Sequence, residues 1–189
     1  MMKSIAFIAL SGTASALIST GSCPSFETIP GFDAKQYMGR WYDILGDPTN
    51  PGQLGSQCEW ADYKLNSDGS VHVLNKAKYP VIGYYGIEGR AVCSANGNGA
   101  CEVEFFGKKM TGVNNYNILK LDYNGLSYVY NCFQLGPLKT EVFWLLSRKP
   151  VLTGKEIEGA YDFMKKAVPS YDVKANTSVQ MQSPDCKYD

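Results

Sequence analysis

The chain has 189 residues, 44% hydrophobic and 13% aromatic, so it can bury one full core and is neither disordered nor membrane-embedded. Its 18 basic residues balance 18 acidic ones. No basic block stands out, so nucleic acid lacks the electrostatic footprint it needs as a partner.

The first residues read as a targeting signal. Lys3 supplies a positive start, Ile5–Leu10 a short apolar core, and Ala14-Ser15-Ala16 a small-residue cleavage site. The apolar run is too short to span a bilayer, and no longer one follows. The expectation is a signal peptide over 1–16, with the cut no later than 22, and one secreted domain over 23–189 without stable membrane insertion. Six cysteines follow the cut: Cys23, Cys58, Cys93, Cys101, Cys132 and Cys186. An even count in an exported chain points to disulfides, with fifteen pairings open. The absence of a Cys-x-x-Cys and the single histidine, His72, argue against a metal site or a catalytic thiol. Cys93 and Cys101 flank Ser-Ala-Asn-Gly-Asn-Gly-Ala, a run of turn formers that would let them face each other across a hairpin.

After a turn-like run, Gly39-Arg40-Trp41 opens a strand to Leu45, and its tryptophan is large enough to close one end of a barrel. Glu59–Leu65 alternates and meets an Asn-Ser-Asp-Gly turn. Val71, Val73 and Asn75 then share one face, opposite His72, Leu74 and Lys76. Tyr84–Cys93 follows, and after it Val103 and Phe105 oppose Glu102 and Glu104. Tyr116–Leu121 runs to an Asp-Tyr-Asn-Gly turn, and Ser127–Gln134 and Glu141–Arg148 complete about eight strands. Thr153 to Ala167 breaks the pattern. Thr153 and Glu156 form a capping box, Ile157, Ala160, Tyr161, Met164 and Val168 recur at helical spacing, and Pro169 ends the helix. Its apolar face should lie against the outside of the strands. A sequon stands at Asn176 in the polar tail.

Three separated motifs carry a resemblance to a known family. Asp33 to Tyr42 matches Asn/Asp-x-x-x-Tyr-x-Gly-x-Trp-Tyr. Asp122-Tyr123 matches Thr-Asp-Tyr, with Leu121 departing from it at the first position. A strand ending in Arg148 precedes the helix. In this the chain resembles the lipocalins, and among them the apolipoprotein D-like, bilin-binding and crustacyanin-like members. The resemblance implies an all-β fold: an eight-stranded antiparallel up-and-down barrel with one C-terminal helix packed outside. It implies that Gly39, Trp41, Asp122, Tyr123 and Arg148 are structural, with the Arg148 guanidinium over the Trp41 indole at the closed end. It also implies Cys23–Cys132 and Cys58–Cys186, leaving Cys93–Cys101 as the third pair.

Alternation and the family pattern together place Tyr63, Val73, Asn75, Val103, Phe105, Tyr116, Ile118, Val129, Trp144 and Leu146 inside, as ligand-binding positions. Asn75 is the sharpest of these, because an unpaired amide in a dry core costs about 1 to 3 kcal/mol. Gly46–Gly55 would fold over the mouth as a lid, and Tyr79–Tyr85 would form an apolar rim. The resulting expectation is a secreted carrier, not an enzyme, of a small hydrophobic ligand: a lipid, sterol, fatty acid, bilin or carotenoid. No cofactor is required. The alternatives are a pigment protein coloured through a homo- or hetero-oligomer, and a lipocalin-type enzyme acting on a lipophilic substrate. Against catalysis, His72 points outward, as do Asp62 and Glu104, and no nucleophile elbow or zinc motif is present.

Overall fold

The computed structural model describes residues 18–50, 53–109 and 114–189. Residues 1–16, where a signal peptide is expected, lie outside the described residues, as do Pro51 and Gly52 of the first loop. In chain order the elements are β1 (Ser19–Thr20), α1 (Ala34–Tyr37), β2 (Gly39–Gly46), β3 (Gln57–Leu65), β4 (Val71–Tyr79), β5 (Gly83–Cys93), β6 (Ala100–Phe105), β7 (Lys108–Lys109), β8 (Tyr116–Leu121), β9 (Leu126–Leu135), β10 (Leu138–Ser147), α2 (Gly154–Ala167), α3 (Val173–Asn176) and β11 (Ser178–Val179).

Every strand pair is antiparallel; β2 to β6 pair in chain order, β6 pairs with β8, β8 with β9 and β9 with β10, and β10 returns to pair with β2, which closes the sheet. Eight strands (β2 to β6 and β8 to β10) form the barrel, so no long edge is left exposed. Each barrel strand stands where alternation predicts one, displaced by three residues or fewer. The short pieces β1, β7 and β11, and the single-turn helices α1 and α3, have too few residues to show a period.

The closed end is built around Trp41, which has no exposed surface and donates its indole N–H to the Tyr37 carbonyl oxygen at 2.9 Å. The Arg148 guanidinium lies 3.7 Å from the centre of the Trp41 ring. Arg148 also donates to the carbonyl oxygens of Arg40 at 2.6 Å and of Tyr123 and Met38 at 2.9 Å each. One cation thereby satisfies several backbone acceptors that meet at the bottom of the barrel. The Tyr123 hydroxyl accepts from the Asp33 N–H at 2.7 Å, and Asp122 opens the turn between β8 and β9. Gly39 is in the left-handed region with φ +90°, which explains the glycine two residues before the tryptophan.

Helix α2 begins with both halves of the capping box, Thr153 accepting from the Glu156 N–H and Glu156 from the Thr153 N–H. Its buried Ala160 and Met164, followed by Val168, pack on the outward face of the barrel against Leu45, Tyr130, Phe143 and Leu145. All three disulfides form: Cys23–Cys132, Cys58–Cys186 and Cys93–Cys101. The last joins directly paired positions of β5 and β6, across the run of turn residues between them.

The wall opens between β2 and β3. Their pairing runs only from Gly39↔Tyr63 to Tyr42↔Trp60. Above that level the C-terminal tail fills the gap: β11 pairs with β2, the Cys58 N–H donates to the Met181 carbonyl, and Gln182 Nε2 donates to the carbonyls of both Asp43 and Glu59. Cys58–Cys186 ties this plug in place.

Candidate ligand cavity

The barrel encloses a cavity of about 700 Å³, open at the end opposite Trp41. That is within the range of sites for small organic ligands. Eight of the ten positions expected inside line it: Tyr63, Val73, Asn75, Val103, Phe105, Tyr116, Trp144 and Leu146. Ile118 and Val129 do not. Both have no exposed surface and pack with Tyr37 and Trp41 in the floor below the cavity. Alternation correctly turned them inward, but a face says nothing of depth, and these two lie beneath the space a ligand would occupy.

The floor of the cavity is polar. The Tyr116 hydroxyl is 2.7 Å from that of Tyr37 and 3.3 Å from that of Tyr63, and Tyr37 also meets Ser127 Oγ at 2.9 Å. Burial raises all three phenols, Tyr63 to about 12, so each remains a neutral hydroxyl at ordinary pH.

Higher up, the walls are largely apolar, interrupted by Asn115, Asn131, Thr140 and Glu141 and by a second polar cluster on β2 to β4. Asn75, paired across the sheet with Ala61 of β3, has a buried Oδ1 without a partner. Asp43 and Glu59 also line the cavity, and both are buried. Asp43 lies two residues beyond Trp41 and Glu59 two before Ala61, just above the level where β2 and β3 part, and the Gln53 side-chain amide donates to both carboxyls, so the two acids are neighbours. Desolvation raises both carboxyls, Asp43 well above the usual carboxylate range, with Glu59 adding repulsion.

Sequence reading passed over both acids, although the alternation that picked Trp41 and Tyr63 includes them. Charged side chains on an inward face contradict the rule that charges stay wet, and that contradiction was itself the signal. Asp62, by contrast, faces outward and pairs with Arg40 at 2.7 Å, and His72 meets Glu88 on the outer surface.

The first loop spans part of the mouth and is held by Gln53. Its Oε1 accepts from Asn50 at 2.7 Å and from the Trp144 indole at 3.3 Å, and its Nε2 donates to Asp43 Oδ2 at 2.7 Å and to Glu59. Ser56 supplies the other oxygen of Glu59 with a donor. The opposite rim is the apolar tip between β4 and β5, where Val81, Ile82 and Tyr85 stand exposed. In the tail, the Asn176 side-chain nitrogen, the atom a glycan would occupy, donates to the Asp172 carbonyl at 2.8 Å.

Comparison with known proteins agrees with this architecture. Residues 32–180 match the model of the lipocalin-like domain. The chain is 32% identical to apolipoprotein D of Rattus norvegicus over 170 residues, 87% of this chain and 86% of that protein. Insecticyanin of the tobacco hornworm Manduca sexta superposes with a TM-score of 0.75 at 21% identity, covering 91% of this chain and 93% of that one. H1 crustacyanin of the lobster Homarus americanus superposes with a TM-score of 0.74 at 18% identity, covering 91% and 94%. With its closed barrel, its arginine-capped tryptophan floor and a matched region that takes in every barrel strand, the chain belongs to the lipocalin family.

Proposed function

We propose that this protein is a secreted carrier that holds one small, largely hydrophobic molecule in the barrel, and that it is not a catalyst. The observation that carries the reading is the cavity of about 700 Å³, floored by three tyrosines, walled by apolar side chains and open at one end. Membership of a family that includes apolipoprotein D supports the same reading. Burying about 300 Å² of apolar ligand surface would yield roughly 7 kcal/mol before association costs of at least ~4 kcal/mol, so micromolar affinity requires the polar groups to contribute. Secretion is supported by the three disulfides. No helix among the described residues is long and apolar enough to cross a membrane.

The test is loss of binding without loss of fold. Trp144→Ala combined with Asn75→Leu removes an aromatic wall and a polar anchor that both reach the cavity. Affinity for apolar ligands, followed by tryptophan emission, should fall by about tenfold or more while the far-UV circular dichroism is unchanged. Undiminished affinity in that variant would place the ligand elsewhere. Turnover of a lipophilic substrate that disappears on changing Asp43 or Glu59 would replace the carrier reading with a catalytic one.

A further inference from the structure

Asp43 and Glu59 are 6% and 5% exposed, and they reach one cavity from adjacent strands. Neither has a cationic partner among the described ion pairs. Lys76 lines the same cavity, but its Nζ donates to the Asp189 carbonyl oxygen at 2.6 Å and lies over the Trp60 ring. The protein supplies donors to three of the four carboxylate oxygens: Gln53 serves one from each acid and Ser56 the second of Glu59. The fourth, Asp43 Oδ1, is buried and unpartnered. Asn75 Oδ1, on the wall one strand further round, is a second buried acceptor without a donor.

We propose that the ligand of this cavity is an amphiphilic amine, an apolar body carrying one protonated nitrogen, and that Asp43 and Glu59 bind that nitrogen with Asn75 as a neighbouring acceptor. The proposal rests on the carrier reading and gives it a ligand class.

The chemistry selects among head groups. A protonated amine presents several N–H donors and one positive charge. It satisfies Asp43 Oδ1 and sets a positive charge between two acids that otherwise repel each other in a dry wall. The raised carboxyls support this: burial raises both, Glu59 raises Asp43 further, and no ion pair among the described residues offsets the shift. A hydroxyl would fill the missing hydrogen bond but leave the charge uncompensated. A carboxylate would bring a third negative group into the same space, so a fatty acid is the disfavoured ligand.

Dodecylamine, dodecanol and dodecanoate share one chain and differ only in the head. Titrated into the full chain at pH 7 and low salt, with tryptophan emission as readout, the amine should bind at least about tenfold more tightly than the carboxylate, with the alcohol between them. In Asp43→Asn/Glu59→Gln the amine-to-carboxylate ratio should fall to near one, in a variant shown to be folded by its far-UV circular dichroism and a cooperative melting transition. Glu59→Gln alone should reduce the ratio part of the way. Dodecanoate binding as tightly as dodecylamine, or an amine preference that survives the double substitution, would overturn the assignment while leaving the carrier reading intact. If none of the three binds the unaltered chain, both readings fail.

Discussion

Trp41 holds the closed end through shape and charge together: a fully buried ring, an indole N–H on the Tyr37 carbonyl, and Arg148 stacked below. Trp41→Ala should therefore cost about 3 to 5 kcal/mol in a denaturant titration, as for other large buried truncations. Its effect on ligand binding should be secondary to that loss. A variant of unchanged stability but reduced affinity would contradict the structural role. Asp43 predicts the opposite behaviour. Its carboxyl is raised by burial and by Glu59, with Tyr63 the other titratable group close to it. Below about pH 4 both folded and unfolded chains hold this proton, so it contributes nothing. As pH rises past that point the unfolded chain releases the proton before the folded one does, and stability falls until the folded carboxyl has titrated as well. Asp43→Asn should thus raise the melting temperature at pH 7 by roughly 2 to 4 °C, with the gain shrinking toward pH 3. A variant that melts lower than the parent at pH 7 would show that the carboxylate is compensated.

Among the elements, those with a strong local signal were legible from residues alone. Thr153 and Glu156 announced α2, and the Asn-Gly and Asp-Gly turns spaced the barrel strands. Cys93 and Cys101 face each other because the run between them is a hairpin turn. What escaped has a physical reason in each case. The tail strand β11 is two residues long and exists because β2 and β3 part above Trp60, a property of the closed barrel that no local pattern encodes. Ile118 and Val129 were placed on the correct face but at the wrong depth. Asp43 and Glu59 were overlooked because their charge argued against the face that their spacing required. The disulfides separate on the same scale. Removing Cys58–Cys186, which closes a separation of 128 residues, should cost roughly 5 kcal/mol, whereas Cys93–Cys101, separated by 8, should cost roughly 2 to 3 kcal/mol. Paired serine substitutions compared by thermal melting would check the order. The Cys58 pair should also loosen the plug beside Asp43, and with it ligand affinity.

At the scale of the whole molecule, one end of the barrel is sealed and the other is left for a ligand. The seal uses Trp41, Arg148 and the N-terminal segment, and the opening is bordered by the Gln53 loop and the apolar tip around Ile82. Between them lies space that the protein's own side chains do not fill, with hydrogen-bonding groups at two heights. The most direct test of a carrier is to ask what the protein holds. Native mass spectrometry of the chain from its natural source, before and after organic extraction, should show one small apolar molecule per chain that extraction removes and that rebinds on addition. A bare chain mass before extraction, together with no binding of any apolar molecule offered, would contradict the account.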